Sequence, residues 1–136
     1  MCAFSATGIL VFNSDDVTIQ QNSISETQGG VFVQGDLGEV EGNVIFDTLV
    51  LDGVGLIGDG NEVHRNSITQ RDESGVSIMG NNNSVTGNLI NEAPIGVLKA
   101  AGSTGNIISG NRSFNTPVSV QDPPEGASTA NRQPYR

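Results

Sequence analysis

Tryptophan is absent, aromatic residues make up 4% of the chain, and Cys2 is the only cysteine. A lone cysteine excludes an internal disulfide. With hydrophobic content at 35% and so few rings, a globular core anchored on large aromatic side chains is excluded as well. Basic residues are scarce: six Lys and Arg stand against fifteen Asp and Glu, giving a net charge of −9. That balance lacks the positive footprint that nucleic acid requires, and it disfavours an anionic membrane surface. No apolar run is long enough to cross a bilayer. The opening residues, Met1 to Phe12, carry no basic segment of the kind that marks a signal peptide. We therefore expect no nucleic-acid partner and no membrane insertion. No 3.6-residue apolar period persists either, which argues against long helices.

Glycine and asparagine are plentiful, and the asparagines recur. Asn22, Asn43, Asn66, Asn88 and Asn111 follow one another at 21, 23, 22 and 23 residues. Three residues before each stands an aliphatic: Ile19, Val40, Val63, Val85 and Ile108. Two residues after stand Ile24, Ile45, Ile68, Ile90 and, in the last copy, Ser113. Each copy also opens on a Gly-aliphatic-x-aliphatic phrase: Gly8-Ile9-Leu10-Val11, Gly30-Val31-Phe32-Val33, Gly53-Val54-Gly55-Leu56, Gly75-Val76-Ser77-Ile78 and Gly96-Val97-Leu98-Lys99. Both phrases alternate with period two, as strands do, and both are too short for helices.

A fixed period in this range means stacked repeats. One coil of about 22 residues holds two or three short strands, and matching residues of successive coils lie roughly 4.8 Å apart. The expected fold is all-β: a single-stranded right-handed parallel β-helix of about five rungs, over 8–29, 30–52, 53–74, 75–95 and 96–118. Residues 1–7 read as a lead-in and 119–136 as an irregular tail. The asparagine column reads as a structural ladder, since Asn tolerates a left-handed bend and its amide both donates and accepts along a stack. Lys99 falls where the other rungs carry Val11, Val33, Leu56 or Ile78. It either snorkels at the strand end or marks a register change.

The two alternating phrases, repeated every 22 or so residues from 8 to about 118, resemble the right-handed parallel β-helix repeat of pectin-lyase-like and NosD-like proteins and of carbohydrate-binding and sugar-hydrolase repeat domains. The resemblance implies extracytoplasmic proteins acting on polysaccharides such as pectin or alginate. From it we expect a non-catalytic module of a polysaccharide-associated protein, binding glycan or a protein partner along its outer face. The alternative is a fragment of a polysaccharide lyase, hydrolase or epimerase acting on a uronate.

Candidate chemistry is sparse. The outward slots of the Asn-phrase strands gather Glu39, Glu41, Glu62 and His64 on two adjacent rungs, which could form an acid/base set. No Lys or Arg is expected on that face to neutralise a uronate. With a single His and no cluster of soft donors among Met1, Cys2 and Met79, neither a copper nor a zinc site is expected. No cofactor motif is present, and the one ion the pattern accommodates is calcium, at the turn column of Asp15, Asp36 and Asp59. On the Gly-phrase strands the outward slots hold Leu10, Phe12, Phe32, Ile57, Met79 and Leu98. Such positions are usually polar where they face water. That stripe, and strand edges left at the two ends, predict self-association or continuation into further rungs of a longer chain.

Overall fold

In the computed structural model, which describes residues 5–48, 51–70 and 72–121, every element is a short strand and every pairing is parallel. The three phrases of a rung become three strands, and each joins its counterpart one rung on. Sheet 1 stacks β1 (Ser5–Phe12), β4 (Thr27–Gln34), β7 (Val54–Ile57), β10 (Ser74–Met79), β13 (Ile95–Lys99) and β16 (Val118–Gln121). Sheet 2 stacks β2 (Thr18–Gln20), β5 (Glu39–Glu41), β8 (Glu62–His64), β11 (Ser84–Thr86) and β14 (Ile107–Ser109). Sheet 3 stacks β3 (Ser23–Ser25), β6 (Val44–Thr48), β9 (Ser67–Gln70), β12 (Leu89–Asn91) and β15 (Arg112–Phe114). The fold is thus a parallel β-solenoid of about five turns with no helix among the described residues. Two boundaries differ from the sequence reading. The first strand begins at Ser5, and Ser119 to Gln121 belong to a sixth strand of sheet 1.

The interior is a bundle of aliphatic columns. Sheet 2 supplies Ile19, Val40, Val63 and Val85, sheet 3 supplies Ile24, Ile45, Ile68 and Ile90, and sheet 1 supplies the Val31–Val54–Val76–Val97 and Val33–Leu56–Ile78 columns, all buried. Each fully buried side chain of this size contributes roughly 1.5–3 kcal/mol. The opening glycine of each rung has a packing reason that its sequence did not disclose. A Cβ on Gly53 would lie 2.5 Å from Ile68 Cγ2, and one on Gly75 would lie 2.6 Å from Ile90 Cγ2. The glycine column and the isoleucine column of sheet 3 therefore face each other across the narrow core.

Lys99 keeps the register. It pairs with Ile78 in an inward slot, is half-buried, and its Nζ reaches out to the Ser103 carbonyl at 3.3 Å. It snorkels, and rung five does not slip.

Candidate functional site

Polar side chains on this solenoid sort into those that hold coils together and those that remain for chemistry. The ladder asparagines form one column on the corner between sheets 2 and 3. Oδ1 of Asn66 accepts from the Asn43 backbone N–H (2.8 Å) and amide (3.0 Å), while its own Nδ2 donates to the Val40 carbonyl (2.9 Å) and to Asn88 Oδ1 (3.0 Å). The same pattern links Asn22 to Asn43 and Asn88 to Asn111. The left-handed residue is not the asparagine, as expected from sequence, but the one before it: Gln21, Gly42, Arg65, Gly87 and Gly110 all have φ between 60° and 69°. The bend is made first, and the asparagine then covers the backbone groups that the bend exposes.

A second ladder went unnoticed in the sequence. Asn61, Asn83 and Asn106 occupy the corner between sheets 1 and 2, with Oδ1 of each accepting the backbone N–H one rung earlier at 2.7, 2.7 and 2.8 Å. Only three rungs carry it, and Gly38 and Val17 stand in the earlier ones. The acidic turn column is a third ladder, with the opposite direction. Oδ1 of Asp15 accepts the Asp36 N–H at 2.9 Å, Asp36 accepts that of Asp59 at 2.8 Å, and Asp59 accepts that of Asn81 at 2.8 Å. Asp15, Asp36 and Asp59, the residues on which calcium was expected, each have an oxygen committed to the next coil.

The remaining group lies on the outer face of sheet 2. Register places Glu39 beside Glu62 and Glu41 beside His64, as the alternation implied. Stacking carboxylates one strand spacing apart is unfavourable unless a cation intervenes. Two side chains supply the partners. His64 Nε2 lies 2.9 Å from Glu39 Oε2, diagonally across the strands, and 4.0 Å from Glu62 Oε1. Arg65 Nη2 donates to Glu41 Oε2 at 2.5 Å. Arg65 corrects the expectation that this face carries no Lys or Arg. It follows the strand rather than lying in it, and its left-handed backbone leaves its guanidinium within reach of Glu41. Among the described residues, Glu39, Glu62 and His64 are the one group of three metal-capable side chains whose donor atoms lie within 4.8 Å of one another. Nitrogen and carboxylate donors suit a borderline divalent cation better than a soft monovalent one.

The apolar stripe also assembles. Leu10, Phe32 and Leu98 share one outward column of sheet 1, and Phe12, Ile57 and Met79 the next, interrupted by Gly55, Ser77 and Gln34. Leu10, Phe12 and Met79 are exposed, and Phe32, Ile57 and Leu98 are half-buried. Phe12 and Phe32 meet edge to face at 6.0 Å. Gly55 leaves room for the Phe32 ring, whose Cδ1 would lie 3.2 Å from a Cβ there.

Compared with known proteins, the chain matches the family model described as periplasmic copper-binding protein (NosD) over residues 2–131. No curated protein and no solved structure matches it.

Proposed function

The chain belongs to the NosD family, and from that premise we propose that it is a non-catalytic β-helix module of the periplasm that binds a protein partner along the outer face of sheet 1. The observation that carries this reading is the exposure of Leu10, Phe12 and Met79 on a sheet face where water-facing positions are usually polar. An edge-to-face pair such as Phe12 and Phe32 adds a rigid aromatic anchor of the kind that dominates protein interfaces. Light scattering and cross-linking at micromolar concentration test it. The Phe32→Asp chain is expected to lose any association seen in the parent while keeping its melting temperature. A parent that stays monomeric, and that loses no partner contact in periplasmic extract on this substitution, overturns it.

A glycan is the second reading, favoured by the polar columns Thr18, Gln20, Thr86 and Ser109 on sheet 2 and by Arg65, a cation able to meet a uronate. Retardation in gels cast with alginate or pectate tests it. A fragment of a lyase, hydrolase or epimerase fits less well, because two of the four candidate carboxylate and imidazole groups are held in one pair, Glu39 with His64, and Glu41 is held by Arg65. Release of unsaturated uronate products in the same mixtures would favour the enzyme over the module.

Copper, the ion named in the family's description, sets a donor requirement. Among the described residues Met79 is the one sulfur side chain, and it stands on sheet 1 away from His64, so those residues do not form a sulfur-ligated cuprous centre. The group that fits is the nitrogen and oxygen set on sheet 2, where His64, Glu39 and Glu62 would hold a cupric ion.

A further inference from the structure

We infer that residues 128–134 close the downstream end of the solenoid as a polar half-rung, held by a second copy of the clip that secures rung five. That end is open among the described residues. Val120 stands in the inward column of Val31, Val54, Val76 and Val97, which are at most 1% exposed, yet it is itself 41% exposed. Ile108 ends the column of Ile19, Val40, Val63 and Val85 and is only half-buried. The N–H groups of Asn61 and Asn83 each donate to the asparagine one rung on, and that of Asn106 has no such acceptor among the described residues. An end of this kind invites strand addition unless something covers it. Terminal repeats of stacked arrays meet that demand with a polar outer side.

Sequence and reach name the occupant. Ser103, Thr104 and Asn106 each hold rung four. Ser103 Oγ accepts the Gly80 N–H at 3.1 Å, and the Thr104 N–H donates to Asn81 Oδ1 at 2.8 Å. Asn106 accepts the Asn83 N–H at 2.8 Å, and its amide donates to the Gly80 carbonyl at 3.0 Å. The phrase Ser-Thr-x-Asn occurs once more in the chain, at Ser128-Thr129-Ala130-Asn131, outside the described residues. Gln121 pairs with Leu98. From Leu98 to Asn106 is eight residues and from Gln121 to Asn131 is ten, so the chain reaches the same corner one rung on with two residues in hand. The position before this asparagine column is left-handed in every rung, at Asp16, Leu37, Gly60, Asn82 and Gly105, and Leu37 shows that a side chain is tolerated where Ala130 would stand. The alignment then sets Gln133 over Ile108, an amide where the earlier rungs carry an aliphatic, and Pro134 over Ser109. Proline has no N–H to offer a further strand. Such a half-rung is a cap, and it leaves the exposed face of sheet 1 as the surface for partners.

The cap is independent of the docking reading, since one lies at the end of the solenoid and the other on its side. Hydrogen exchange of the full chain tests it, read at the Asn106 amide by NMR with the Asn83 amide as internal reference. Asn106 is expected to be protected in the parent at every protein concentration. Asn131→Ala is expected to speed its exchange by about tenfold or more, the worth of one ordinary hydrogen bond. Arg136→Ala, outside the clip, is expected to leave it unchanged, and so is Phe32→Asp, which alters only the sheet 1 face. An Asn106 amide that exchanges as freely as an unfolded one overturns the cap. Protection that survives Asn131→Ala overturns it too, because another group then holds the amide. Protection that fades on dilution would seat a second copy on the end and overturns it as well.

Discussion

Two residues, one left-handed and one asparagine, turn the chain from sheet 2 to sheet 3 in every rung, at 21–22, 42–43, 65–66, 87–88 and 110–111. The return from sheet 3 to sheet 1 varies more: Glu26, Glu92 and Asn115 open it with a left-handed φ of 52–63°, but no one residue type recurs and its length changes. Glu26 alone joins β3 to β4, residues 49–53 separate β6 from β7, and three residues serve at 71–73, at 92–94 and at 115–117. The second and third returns are stitched to each other by side chains. The buried Gln70 amide donates to the Leu51 carbonyl and its oxygen accepts the Asp72 N–H at 3.1 Å, while Asp52 Oδ1 accepts the Ser74 N–H at 3.1 Å. The first corner fixes the stacking geometry of the whole array through one repeated side chain. The second is free to vary because the register has already been set elsewhere.

The contrast can be broken most severely at the centre of the ladder. Asn66→Ala removes the acceptor for the Asn43 N–H and leaves the Val40 carbonyl without its amide donor, both in buried surroundings. The expected loss is about 3 kcal/mol, the upper end of the penalty for an orphaned buried polar group. Asn22→Ala, in the less buried first copy, is expected to cost visibly less. Urea unfolding of the two variants beside the parent measures the difference, and equal losses would mean that the column does not act as a unit.

A smaller effect is expected in the acidic column. Asp36→Ala deprives the Asp59 N–H of its acceptor and should cost about 1 kcal/mol, the size of a lost side-chain cap. Asp36→Asn keeps the oxygen and should be close to neutral. If Asn proves as damaging as Ala, charge rather than hydrogen bonding is what the column provides.

The smallest effect, and the opposite sign, belongs to the irregular corner. Burial raises the Asp52 carboxyl above its ordinary 3.8, with Glu73 acting in the same direction against hydrogen bonds from the Ser74 backbone and the Ser77 side chain. A raised carboxyl contributes most to stability below its unfolded value, and that contribution is lost as pH rises through the folded value. Burial therefore opposes ionisation of Asp52 as pH rises toward neutrality. Asp52→Asn keeps an oxygen for Ser74 and is expected to raise the melting temperature at pH 7. The gain should shrink as pH falls toward 3.8. A gain that stays constant with pH would assign the effect to packing.

The regular corner was legible in the sequence because one residue type recurs at a nearly fixed distance and leaves a visible column. The alternation around it placed Glu39 on Glu62 and Glu41 on His64 correctly, since period two leaves no other choice. Arg65 escaped because alternation assigns faces only within a strand, and a residue with φ of 60° lies outside that rule. The second asparagine ladder escaped because three copies among five read as ordinary turn polarity. The demand for glycine at 53 and 75 was invisible for a different reason. It arises from Ile68 and Ile90 on another sheet, which are distant in sequence and meet the glycines only when the coil closes. In sheet 3, the register shift between Ile45 and Thr48 pairs Thr48 with Gln70, so fixed spacing alone misassigns the residues after it.

The direction in which the ladders reach has a consequence for how such an array grows. Asn43, Asn66, Asn88 and Asn111 each grip the backbone of the coil before them, and Asn61, Asn83 and Asn106 do the same at the other corner. At these two corners a segment copied in tandem thus arrives with its own fasteners, and it needs from its upstream neighbour backbone N–H and C=O groups, whereas the acidic column reaches the other way. Lengthening by duplication requires no matching change next door, so the inherited units can drift at their return corners and outer faces while the joint between them stays the same.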